Sequence, residues 1–138
     1  MANLTDSERI EEGQVRSRVI LEIVGRPAEH IEQTLKKYID QIKEDKEFSI
    51  VEEHVEKPEE RDDKLFSTFA EITLWSKDLK KMIAFCFDYM PSSLEIEEPE
   101  SLKMDNSTIS DLLNDLQARL HHVDMLAKNL FQENKAYN

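Results

Sequence analysis

A chain of 138 residues with 18 Lys and Arg against 30 Asp and Glu carries a formal net charge of -12, and its length suits one ordinary domain better than two. Such an acidic surface repels phosphate backbones and anionic lipid, which argues against generic nucleic-acid and membrane binding. Hydrophobic residues at 39% leave enough apolar material for a core, and the single cysteine, Cys86, excludes an intramolecular disulfide framework and any multi-cysteine zinc site.

The opening stretch from Met1 to Glu8 holds no basic segment followed by an apolar run, so a cytoplasmic protein is expected. Residues 1–14 offer only Leu4 and Ile10 as large apolar side chains and read as a flexible tail. From Val15 to Val24, Val19, Leu21 and Ile23 alternate with Ile20, Glu22 and Val24, a β-branched period of two that predicts a central strand. Gly25-Arg26-Pro27 breaks it. Pro27 suits the first turn of a helix, where its missing N–H costs nothing, and Glu29 meets the positive helix end. Ile31, Leu35, Tyr38, Ile39 and Ile42 then recur at helical spacing and give that helix one apolar face.

Phe48 to Glu56 reads as a short acidic strand, joined through the charged stretch 57–63 to a longer strand from Leu65 to Leu74, the pattern of a hairpin. Ser76 is a good helix cap for a segment carrying Leu79, Met82, Ile83, Cys86 and Met90 on one face, and Pro91 stops it. Leu94 and Ile96, alternating with Glu95 and Glu97, predict a fourth strand at a sheet edge. The order strand, helix, strand, strand, helix, strand implies an α+β fold of the ferredoxin-like βαββαβ plan over residues 15–104, with the first and third strands central.

A last amphipathic helix is expected within 105–138, as part of the same domain. Its Thr108 to Asp111 approximates a capping box. Ile109, Leu113, Leu116, Leu120, Val123, Ala127 and Leu130 follow with alternating steps of four and three, a heptad seam. Leu112, Met125, Leu126 and Phe131 add a second apolar line. At about 1.5 Å per residue such a helix outruns a six-residue strand of about 20 Å, and an overhanging apolar end is unusual for a monomer. The expected oligomer interface is therefore Ile109, Leu113, Leu116, Leu120, Val123, Leu126, Leu130 and Phe131, in a homodimer or higher homo-oligomer, with a protein partner as the further option.

The chemistry-bearing residues point elsewhere than catalysis. His121-His122 with Asp124 resembles half of a helical metal site but lacks ligands from other segments. Cys86 lies on an apolar helix face as a small filler with a raised pKa. The paired acids Asp62-Asp63, Glu52-Glu53 and Glu97-Glu98 point to opposite sides of an extended chain and make no acid/base pair. On the presumed open sheet face, Arg16 and Arg18 stand beside Glu22 and Glu71 with Phe69 as the one aromatic, which suits cross-strand ion pairs better than RNA stacking. With two glycines in the chain there is no phosphate-cradling loop, although Gly25 and Arg26 at a helix start offer a place for an anionic ligand. The expected function is a non-enzymatic interaction or assembly module that self-associates through its last helix. It needs no cofactor or metal and binds neither nucleic acid nor membrane. The alternative is a regulatory domain sensing a small anion at Gly25 and Arg26.

Overall fold

The structure, a computed structural model, describes residues 3–136, with side chains as far as Glu133. Met1, Ala2, Tyr137 and Asn138, the ends of the expected tail and last helix, lie outside the described residues.

Strict alternation builds the sheet. Strand β1 (Val15–Gly25) buries Val15, Ser17, Val19 and Leu21 and turns Arg18, Glu22 and Val24 outward, because successive side chains leave opposite faces of an extended chain. The hairpin consists of β2 (Phe48–Val55), a two-residue β3 (Glu59–Glu60), a single 3-10 turn (Asp62–Lys64) and β4 (Phe66–Ser76). The last strand, β5 (Ser93–Glu98), is short. The order is β2-β4-β1-β5 with β3 also paired to β4, and every pairing is antiparallel. The two most apolar strands therefore occupy the centre and the glutamate-bearing ones the edges. Among the described residues the protein is an α+β structure of five strands and four α-helices.

Two of those helices cover one sheet face. Helix α2 (Ala28–Glu44) buries Ile31, Leu35, Ile39 and Ile42, and α3 (Leu79–Tyr89) buries Met82 and Phe85. Leu35, Ile39, Ile42, Met82 and Phe85 join Val19, Leu21, Ala70, Ile72 and Leu74 in one apolar cluster. Phe85 bridges the layers, with its ring 5.4 Å from Phe48 and 4.8 Å from Tyr89. Gly25 stands where β1 gives way to α2, and a Cβ there would come within 3.1 Å of the Ile31 side chain.

Several local expectations need correction. The stretch 1–14 is more than a tail, since residues 6–11 form α1 (Asp6–Glu11), closed by a reciprocal capping box between Thr5 and Glu8. Ser76 does not cap α3. It ends β4, and its hydroxyl donates to the Val15 carbonyl at 3.3 Å. The cap is Asp78, which accepts from the Lys81 N–H at 2.8 Å. The buried stripe of α3 is Met82 and Phe85 with Tyr89 packed beside them, while Met90, left-handed at φ 48°, is mostly exposed. The last helix, α4 (Asn106–Ala136), begins two residues earlier than Thr108. By its contacts the chain divides into two compact units, one ending at Ser101 and one beginning at Leu102 that carries α4.

Truncating Ile72, fully buried in the central strand, to Ala removes packed methylenes without room for collapse and is expected to cost about 2–5 kcal/mol. The control Val24→Ala, at a side chain 53% exposed, is expected to stay within about 0.5 kcal/mol. Urea unfolding followed by the fluorescence of Trp75, the single tryptophan, checks both.

Candidate functional site

Helix α4 runs for 31 residues, about 46 Å at the usual rise. Its start is set by Asp105, whose carboxylate accepts the Thr108 backbone N–H at 2.8 Å. That hydrogen bond satisfies one of the donors left over at a helix start, and it holds the Asp105 carboxyl below its ordinary value of 3.8. Two i,i+4 ion pairs brace the shaft, Asp115–Arg119 at 3.5 Å and Asp124–Lys128 at 2.9 Å.

The seam is exposed. Leu113 is 52%, Leu120 53%, Val123 56% and Leu130 60% accessible. Ile109 joins them at 37%, and the flanking Leu126 and Phe131 are at 50% and 66%. Leu116 is half-buried. These large apolar side chains recur along one line of the helix rather than singly. His121, His122 and Asp124 all lie exposed on this helix, and no group of three or more His, Cys, Asp or Glu among the described residues is arranged to hold a metal ion.

The sheet face turned away from α2 and α3 is a charged surface whose members hold one another. Arg18 lies 2.8 Å from Glu95 and 3.5 Å from Glu71, and Arg16 lies 3.3 Å from both Asp6 and Glu97. Arg61 donates to the Ser67 hydroxyl at 2.7 Å. The expectation of arginines held by cross-strand glutamates is met here. The aromatic count is not, because β4 continues to Ser76 and places Trp75 opposite Arg16 on this same face. Trp75 is 2% exposed, with the guanidinium groups of Arg9 and Arg16 each 5.6 Å from its ring. Those cation–π contacts occupy the ring.

Gly25 and Arg26 mark the start of α2, and Arg26 is exposed there. The missing side chain of Gly25 is accounted for by the close approach of Ile31. A groove of about 710 Å³ lies farther along, between α2 and β2, lined by residues that include Glu29, Lys36, Asp40, Lys43 and Glu53. Across it Lys43 donates to Glu53 at 2.8 Å, a hydrogen bond that raises the lysine pKa. Cys86 is half-buried, and burial pushes its thiol pKa up, away from the thiolate a nucleophile needs.

A protein-family model matches residues 16–136, from inside β1 to the last residue of α4. The chain belongs to the MJ0538 family. No curated protein and no solved structure matches it. The MJ0538 match takes in the whole sheet beyond Val15 and every seam residue of α4. No helix among the described residues is long and apolar enough to cross a membrane.

The residues that sequence reasoning passes over are Arg9 and Trp75. Extending the period of two by a single residue past Leu74 puts Trp75 on the outer face, but the contact with Arg9 spans 66 positions and leaves no local trace.

A charge-dependent cap makes α4 sensitive to acid. Because the folded-state carboxyl of Asp105 titrates below its ordinary value of 3.8, its contribution is complete above about pH 4 and is lost as pH falls through the lowered value. Asp105→Ala is expected to reduce helicity at neutral pH, and the difference from the parent protein is expected to vanish toward low pH. Far-ultraviolet circular dichroism against pH checks this.

Proposed function

We propose that the protein is a non-enzymatic cytoplasmic assembly module that self-associates through α4, most simply as a homodimer. The observation that carries this reading is the line Leu113, Leu120, Val123 and Leu130, each more than half exposed and spaced in steps that keep one stripe facing a partner helix. Burying such a stripe gains about 25 cal/mol for each Å² of apolar surface withdrawn from water. A second copy offers the same stripe, and a shared symmetric surface is the commonest route to an oligomer.

The folded core is the scaffold that carries the helix. Its strand order, with α2 connecting β1 to β2 and α3 connecting β4 to β5, supports the ferredoxin-like plan. The ion-paired arginines and the covered Trp75 support a structural surface over a nucleic-acid platform, and the net charge of -12 supports it further. The alternative, an anion sensor at Gly25 and Arg26, has weaker support. The groove between α2 and β2 does not include either residue among its lining, and packing against Ile31 already explains the glycine.

Light scattering at micromolar concentration is expected to give at least twice the monomer mass, and Val123→Glu with Leu130→Glu is expected to reduce it to the monomer while the sheet stays folded. A parent protein that remains monomeric overturns the proposal. Thermal melts against a panel of carboxylates, phosphates and nucleotides test the alternative, since a ligand that binds only the folded state raises the midpoint.

A further inference from the structure

The flanks of the seam carry a second layer of information. Taking the steps of four and three as a heptad puts Leu113, Leu120 and Ala127 at position a and Ile109, Leu116, Val123 and Leu130 at position d. The e positions are then Gln117, Asp124 and Phe131, and the g positions Leu112, Arg119 and Leu126. These flanking positions decide how two such helices lie, because they are the ones that meet across the seam.

In a parallel, in-register pair each g residue meets the e residue five positions further along the other helix. Arg119 then faces Asp124 of the partner subunit, and Leu126 faces Phe131 of the partner subunit. Both contacts occur twice by symmetry. The first joins opposite charges, and the second extends the apolar seam with Leu126 and Phe131, while Leu112 meets Gln117 of the partner subunit and Met125 points outward. In an antiparallel pair g meets g and e meets e. Two antiparallel registers each pair six of the seven seam residues: in one, Arg119 falls against Leu126 of the partner subunit and Gln117 against the partner's Asp124, and in the other Arg119 falls against itself. A further shift of one heptad sets Asp124 against itself and leaves part of the seam uncovered. Like charges opposed across an interface are destabilising.

The ion pairs within α4 do not compete. Arg119 already lies 3.5 Å from Asp115, yet a guanidinium has five N–H donors and can serve two carboxylates. Asp124, 2.9 Å from Lys128, retains a second acceptor oxygen in the same way.

Resting on the self-association proposed above, we infer that two copies of α4 pair parallel and in register, with Arg119 of each reaching Asp124 of the other. The seam supplies the attraction and this charge pair selects the orientation.

The test uses the full chain with Cys86→Ala and a spin label at either Asp111→Cys or Gln132→Cys, both on the outward side of the helix in this heptad. Circular dichroism verifies that each variant folds. A parallel pair gives, by pulsed dipolar spectroscopy, the same short label-to-label distance at both sites, set by the width of two adjacent helices. An antiparallel pair adds an axial offset of 21 residues at both sites in one register, or of 14 and 28 residues in the other, about 21–42 Å. That result overturns the inferred orientation and leaves self-association standing. Monomer mass with no intermolecular dipolar signal overturns both. In the same background, Arg119→Asp is expected to weaken dimerisation about tenfold, from two lost pairs and two new repulsions per dimer. Adding Asp124→Arg is expected to recover most of that loss, and failure to recover overturns the Arg119–Asp124 contact.

Discussion

The pairing of β1 with β4 is the constraint on which the rest of the core depends. The two strands run antiparallel along their full lengths, from Val15 opposite Ser76 to Gly25 opposite Phe66. In this register Val19 stands opposite Ile72 and Leu21 opposite Ala70, so both central strands present their apolar side chains to the same layer. A slip by one residue would send every one of those side chains to the other face. The same register opposes Arg18 to Thr73 and Arg16 to Trp75 on the outer side. One hydrogen-bonding arrangement thus fixes the core and the charged surface together.

From that register the outer face acquires a self-contained character. Arginines left without acidic partners on such a protein would serve as docking points for anions. Here Arg16 and Arg18 sit on the middle strand, between glutamates from β4, β5 and α1's Asp6. Each exposed pair contributes little energy in water, but together they neutralise a surface that would otherwise repel itself. The α1 turn adds Arg9 over Trp75, completing a lid of charge on an indole that would otherwise face solvent.

Helix α4 follows a different logic from α2. In α2 the apolar residues Ile31, Leu35, Ile39 and Ile42 are all spent on the sheet. In α4 a longer apolar line remains accessible, and helices of this length derive most of their stability from packing an apolar face rather than from intrinsic propensity. The Asp105 cap and the two i,i+4 ion pairs define where the helix starts and stiffen its polar side. The core buries its own apolar faces, while α4 keeps an apolar stripe exposed.

By itself the sequence determined the kind and order of the long elements from β1 onward, because hydrophobic period is a local property. Two strongly alternating strands, an amphipathic α2, the acidic hairpin, the Pro91 stop and the heptad line of α4 can each be read from neighbouring residues. The tertiary structure decided what depends on residues distant in the chain. It moved the α3 cap from Ser76 to Asp78, since Ser76 still belongs to β4 and its hydroxyl faces the Asp78 and Val15 carbonyls. It ordered 6–11 into a helix whose Arg9 and Asp6 reach Trp75 and Arg16, and it gave Gly25 its reason in the side chain of Ile31. Periodicity says which way a side chain faces, and only the assembled sheet says what it meets there.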